Sequence, residues 1–115
     1  MTLKKISPEK LSEKMNYEKN ILLLDVRAED KYNEYHITNS NIEMLNIPKN
    51  HIFELEKGKE DKVIPLQKRG KQLVITCTTG NSAIKCGEIL SNQGYDVTIL
   101  TGGITAWRAF KGRDK

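Results

Sequence analysis

Two short apolar runs constrain this chain most: Ile21-Leu22-Leu23-Leu24, continuing through Asp25 to Val26, and Leu73-Val74-Ile75-Thr76. Both are strand-sized, and the first shows no alternation of apolar and polar residues. Such a strand is buried on both faces, which in a sheet implies parallel neighbours with helices over each side. The intervening segments fit that reading. Ser7-Pro8 is a helix start, with Ser as N-cap and Pro at the first helical position, and Leu11 and Met15 follow one turn apart. Asp30 to Tyr35 reads as a short helix or turn. After Gly80, the residues Ala83, Cys86, Gly87 and Leu90 recur at helical spacing and form one narrow face of small side chains. Gly94 ends that helix, Val97 to Leu100 is a further strand, and Gly102-Gly103 turns the chain into a last helix with Trp107 and Phe110. Residues 41 to 70 carry the weakest pattern. There, Asn46-Ile47-Pro48 ends an extended piece, Phe53 and Leu55 suit a short helix, and Gly58 to Lys62 suits an exposed loop.

The alternation of strands and helices defines an α/β chain, and 115 residues suit one compact domain spanning 1–115. No apolar run approaches the roughly 20 residues that cross a bilayer. The first residues, Met1 to Ile6, lack the apolar stretch of a secretion signal, so the expected location is cytoplasmic and no membrane is involved. Two cysteines are too few for a disulfide scaffold, and together with two histidines they show no metal-ligand spacing. A formal charge of +4 is spread over the chain without a basic stripe or stacking aromatics, which argues against nucleic acid as a partner.

The chemistry concentrates in Thr76-Cys77-Thr78-Thr79-Gly80-Asn81-Ser82, where a buried strand meets a helix. Ligands of open α/β sheets bind beyond the carboxyl ends of the strands, and Cys77 is placed there by its own strand. The residues that follow must wrap around it to begin the helix, turning unpaired backbone N–H groups inward. With the positive end of the helix dipole they form an anion cradle that favours a thiolate over a thiol. Thr78, Thr79, Asn81 and Ser82 add hydroxyl and amide groups for a ligand's oxygens, and Gly80 permits the tight turn. Cys86 instead sits on the apolar stripe with Ala83 and Leu90 and reads as a packing residue.

Four segments, in order, resemble a single-domain rhodanese: Leu24-Asp25-Val26-Arg27, Tyr35-His36-Ile37, Cys77 to Ser82, and Leu100-Thr101-Gly102-Gly103-Ile104-Thr105-Ala106-Trp107. The resemblance implies a three-layer fold, with a five-stranded parallel sheet flanked by helices on both faces. It implies a sulfurtransferase without a cofactor, in which the Cys77 thiolate takes the outer sulfur of a donor and holds it as a persulfide. The sulfur then passes to cyanide, a small thiol or a protein cysteine. Backbone N–H groups of Thr78 to Ser82 are the implied persulfide cradle.

The chain departs from the family pattern in several places. Many rhodaneses carry Arg or Lys in the active loop, often where this chain has Ser82. Here the loop is uncharged, and Lys85, one turn into the helix, is the nearest cation along the sequence. On that ground thiosulfate, a dianion, is expected to be a poor donor, with neutral or protein-bound persulfides preferred. The usual Glu after Asp-Val-Arg is Lys31 here and the Gly before His is Tyr35, so Arg27 needs another partner, for which Glu34 is the candidate. Asp25 and Arg27 read as structural supports of the site, with Asp25 either orienting the loop or bonding Arg27, and Lys85 reads as a supporting charge. His36 reads as a hydrogen-bonded structural residue, since a persulfide relay abstracts no proton once the thiolate exists.

Two rival readings bracket this one. A cysteine phosphatase or arsenate reductase needs an arginine after five intervening residues to hold the oxyanion bidentately, and that position is Ala83. A rhodanese-like module that only binds a partner or carries sulfur is the alternative from another class. Such modules often lack the cysteine that this chain keeps.

Overall fold

The structure is a computed structural model that describes residues 3–56 and 71–113. Strand β1 (Lys4–Ile6) leads into helix α1 (Pro8–Tyr17), followed by β2 (Ile21–Asp25), α2 (Glu29–Glu34), β3 (Glu43–Asn46) and α3 (Lys49–Glu56). Then come β4 (Gln72–Thr76), α4 (Asn81–Asn92), β5 (Asp96–Leu100) and α5 (Gly103–Arg113). The two apolar runs are β2 and β4. They lie side by side with Leu22 opposite Leu73 and Leu24 opposite Ile75. All pairings are parallel, and the five strands stand in the order β1-β5-β4-β2-β3. The expected five-stranded parallel sheet is therefore present.

Alternation along β2 divides the core. Leu22 and Leu24 face a cluster with Ile52, Ile75, Cys86 and Leu90, which α3 and α4 close. Ile21 and Leu23 face the other way, toward Leu11, Met15, Val74, Ile104 and Trp107, which α1 and α5 close. Helix α1 starts where the sequence places it, with Ser7 Oγ accepting from the Lys10 amide at 3.2 Å. Helix α4 lies close on the sheet because its inner face is small. A Cβ on Gly87 would stand 2.7 Å from Ile99 Cδ1.

One local reading needs amendment. Strand β1 was not expected; it has three residues, and Lys4 and Lys5 on it are exposed, so no apolar pattern marks it. It adds to the sheet edge beside β5, and lysines on such an edge oppose strand addition by another chain. Helix α3 includes both Phe53 and Leu55. The loop expected at Gly58 to Lys62 lies outside the described residues.

Strand order also positions a crevice. From β2 the chain runs through α2 to β3 on one side, and from β4 it runs through α4 to β5 on the other. Neighbouring strands whose connections diverge leave a gap beyond their carboxyl ends, the topological switch point. Val26 and Cys77 stand at that gap.

The end of β2 is locked by an ion pair. Asp25 and Arg27 have side chains only 4% and 9% exposed, and Arg27 Nη2 lies 2.7 Å from Asp25 Oδ2. Arg27 Nε donates to both Asp25 oxygens, at 3.0 and 3.1 Å, and Nη2 also donates to the Tyr35 carbonyl at 2.6 Å. Asn46 Nδ2 then ties the carbonyls of Asp25 and Arg27 to the end of β3. Of the two partners the sequence offers Arg27, Asp25 makes the bond, and Glu34 instead reaches Lys31 at 4.0 Å on the surface. Asp25 is two residues from Arg27, and this short reach lets the guanidinium close back on the strand end. Removing the carboxylate strands a buried cation, so Asp25→Ala is expected to cost about 3–5 kcal/mol in urea unfolding. Glu34→Ala, which breaks only the exposed pair, is expected to cost at most about 1 kcal/mol in the same measurement.

Candidate active site

The loop after β4 wraps around one sulfur atom. Cys77 is 5% exposed, and its Sγ accepts hydrogen bonds from the amides of Gly80 at 3.0 Å and Ala83 at 3.3 Å. Gly80 takes φ +110°, a left-handed conformation open to glycine, and this reversal aims its N–H at the sulfur. The following first-turn amides of α4 have no acceptor within the helix. The sulfur thus lies on the positive end of a 12-residue helix.

A second helix fixes the loop from behind. The amides of Ile104 and Thr105, at the start of α5, donate to the carbonyls of Cys77 and Thr78 at 2.8 and 3.0 Å. A trans peptide points its C=O and N–H in opposite directions. With those two carbonyls turned toward α5, the N–H groups of Thr78 and Thr79 face away from it. The approach is close enough to exclude a side chain at Gly103. There φ is +59°, and a Cβ would stand 2.3 Å from the Cys77 carbonyl oxygen. The sequence marks Gly102-Gly103 only as a turn; its role behind the cysteine loop depends on a contact 26 positions away along the chain.

An open cavity of ≈ 420 Å³ lies over the sulfur. Cys77, Thr78, Thr79, Asn81 and Ser82 line it, as the sequence suggests, together with Arg27. Gly80 contributes its amide to the sulfur instead of a surface to the cavity. Asp25 stands behind Arg27 and does not line it. Lys85 is also absent from the lining, and its ammonium lies 5.8 Å from the centre of the Phe53 ring. The opposite wall, missed from sequence, comes from α2 and the start of α3 and includes Lys31, Lys49 and Asn50. Lys49 Nζ donates to Ser82 Oγ at 3.5 Å. The loop itself carries no charge, as the sequence shows, but Arg27, Lys31 and Lys49 of the cavity wall lie beside it. Position offered the available clue, because Lys49 directly follows Pro48 at the end of β3.

The remaining candidates fall outside the cavity. His36 stacks on Tyr32 with ring centres 4.0 Å apart, and its Nδ1 donates to the Tyr32 carbonyl at 2.8 Å. Burial and the Asp25 carboxylate push the Tyr32 phenol up, although Arg27 partly opposes them. Cys86 is wholly buried. Burial, then the neighbouring Cys77, push its thiol up to about 12, against a smaller pull from Lys49. Among the described residues no cluster of His, Cys, Asp and Glu could hold a metal ion, and no helix is long and apolar enough to cross a membrane.

This arrangement defines an open parallel α/β domain that carries a strand-end cysteine, held by two main-chain amides, at the switch point. Within that class the family is specific: the rhodanese-like domain family matches residues 7–110. The chain belongs to the rhodanese-like domain family. It is 29% identical over 93% of its length to the Bacillus subtilis protein named "Putative sulfurtransferase YtwF", 92% of which is covered. Among solved structures it resembles a rhodanese-related protein from Thermoplasma volcanium, with 26% identity and a TM-score of 0.72 over 93% of this chain and 92% of that one. A rhodanese-like domain protein from Staphylococcus aureus gives 25% identity and a TM-score of 0.70, over 91% of each chain.

Two outcomes follow from the geometry. Gly103→Ala is expected to cost about 1–3 kcal/mol of backbone strain and to shift the amide resonances from Thr78 to Ala83, read by urea unfolding and by NMR. The Cys86 thiol is raised from its ordinary value of 9.0, so the folded state keeps the proton longer than the unfolded chain does. Its contribution to stability is complete below about pH 9 and is lost as pH rises toward 12. Melting temperature is therefore expected to fall less steeply above pH 9 in Cys86→Ala than in the unaltered protein.

Proposed function

We propose that the chain is a sulfurtransferase that carries sulfane sulfur on Cys77 as a persulfide. One observation carries the reading: the Cys77 sulfur accepts two main-chain hydrogen bonds at the floor of an open cavity. The Cys77 thiolate attacks the outer sulfur of a donor such as thiosulfate or a persulfide. A bond forms between Sγ and that sulfur, the donor's S–S bond breaks, and its leaving group departs with the electron pair. Negative charge then rests on the terminal sulfur, and Thr78, Thr79, Asn81 and Ser82 line the space it enters. An acceptor thiolate or cyanide attacks this sulfur and regenerates the Cys77 thiolate.

Neither half of the cycle requires a general base, a metal or an organic cofactor. That agrees with a histidine held on a backbone carbonyl outside the cavity. The name of the Bacillus subtilis relative supports sulfur transfer as the activity. The phosphatase alternative finds no support at its diagnostic position. Ala83 is fully buried, and its amide is directed at the sulfur where an arginine would have to reach the oxyanion. The uncharged loop favours neutral or protein-bound persulfides as donors, whereas Lys49 beside it favours an anionic donor.

Intact mass after incubation with thiosulfate or 2-hydroxyethyl persulfide tests the proposal. The protein is expected to gain one sulfur atom, with the gain lost in Cys77→Ala and kept in Cys86→Ala. A protein that stays unmodified with both donors would fit a partner-binding module and overturn the transferase reading.

A further inference from the structure

Three cations line the cavity over Cys77: Arg27, Lys31 and Lys49. Arg27 is bound to Asp25 and to the Tyr35 carbonyl, and Lys31 lies 4.0 Å from Glu34. Lys49 differs from both. Among the described residues no carboxylate lies within ion-pair distance of it, and its one hydrogen bond goes to the Ser82 hydroxyl at 3.5 Å. That length is at the weak end for an N–H···O contact, so the ammonium gives up little in exchanging the hydroxyl for a stronger acceptor.

The backbone holds Lys49 where such an exchange is useful. Its amide donates to the Val26 carbonyl at 3.0 Å, anchoring the start of α3 beside the end of β2. The side chain then spans to Ser82 on α4, from the wall opposite the cysteine loop. A donor sulfur lying against Cys77 would direct its leaving group out toward this gap.

We propose that Lys49 is the donor-selecting residue of this site, binding the anionic oxygens of sulfur donors whose leaving group is a sulfite or sulfinate. The inference rests on Cys77 being the sulfur carrier. With thiosulfate the Cys77 thiolate forms an S–S bond to the outer sulfur, the donor's S–S bond breaks, and sulfite leaves with the electron pair. Two products, Cys77 persulfide anion and sulfite dianion, account for every atom and for the starting charge. In this scheme Lys49 holds the sulfonate oxygens before the transfer and stabilises the sulfite as it separates. A persulfide such as 2-hydroxyethyl persulfide releases a thiolate, which carries its charge on sulfur and has no anionic oxygens for the lysine to hold.

The test is single-turnover loading of Cys77, followed by mass, with thiosulfate and with 2-hydroxyethyl persulfide as donors. For Lys49→Gln, the half-saturating thiosulfate concentration is expected to rise about tenfold or more while loading from the persulfide stays within about twofold. Lys49→Arg is expected to recover most of the thiosulfate response. Sulfate is expected to compete with thiosulfate in the unaltered protein and much less in Lys49→Gln. An unchanged thiosulfate response in Lys49→Gln, or an equal loss with both donors, overturns the role of Lys49 and leaves Cys77 as carrier intact. Failure of the unaltered protein to load from either donor overturns both readings.

Discussion

Two hydrogen bonds from the start of α5 to the backs of the Cys77 and Thr78 peptides hold the site in its working orientation. Because each peptide is planar and trans, a carbonyl fixed on one side commits the next N–H to the other. The amides of Thr78 and Thr79 are therefore turned away from α5 by contacts made behind the loop, while those of Gly80 and Ala83 meet the sulfur directly. This orientation requires α5 to approach within a distance that a Cβ at Gly103 would not allow. The cost of ordering the loop is met in folding, so an anion entering the cavity finds its donors already aligned.

The legibility of the sequence followed the range of the interactions involved. Strands β2 and β4 could be read because burial on both faces writes itself as consecutive apolar residues. Cys77 could be placed because one strand and one turn determine where it points. The small face of α4 was visible for the same reason, as helical spacing is a local property. Strand β1 left no such mark, being three residues long with two exposed lysines. Gly103 was visible as a turn residue and invisible as a support, since its partner in space is Cys77. Lys49 was missed because its partner Ser82 is 33 positions away and the route between them runs through the weakest pattern in the chain.

Asp25 and Arg27 were both legible as supports, and a bond between them was one of the two roles open to Asp25, beside Glu34 as a candidate for Arg27. Strand geometry explains the actual choice. Asp25 is the last residue of β2, and the chain leaves the sheet just after it, so the Arg27 side chain can fold back over the carboxylate. The Arg27 amide completes the turn by donating to Asp25 Oδ1 at 3.0 Å. This pairing keeps the guanidinium from acting as a free charge in the cavity even though it forms part of the wall. The charge available to a ligand has to come from elsewhere, and the lysine after Pro48 supplies it.

The two cysteines show how placement decides the chemistry of identical side chains. They lie nine positions apart and belong to the same buried cluster. Cys86 lies on the inner face of α4, where burial dominates and its proton is held far above neutral pH. Cys77 sits one turn before that helix begins, where amide dipoles converge and a cavity opens. An added sulfur on Cys86 would have to displace close-packed neighbours such as Leu90 and Ile99, whereas on Cys77 it would extend into open space lined with polar groups. Exposure does not distinguish the two thiols, because both are nearly or wholly buried. What separates them is whether the sulfur has hydrogen-bond donors and room beside it, and of these two positions the strand end supplies both.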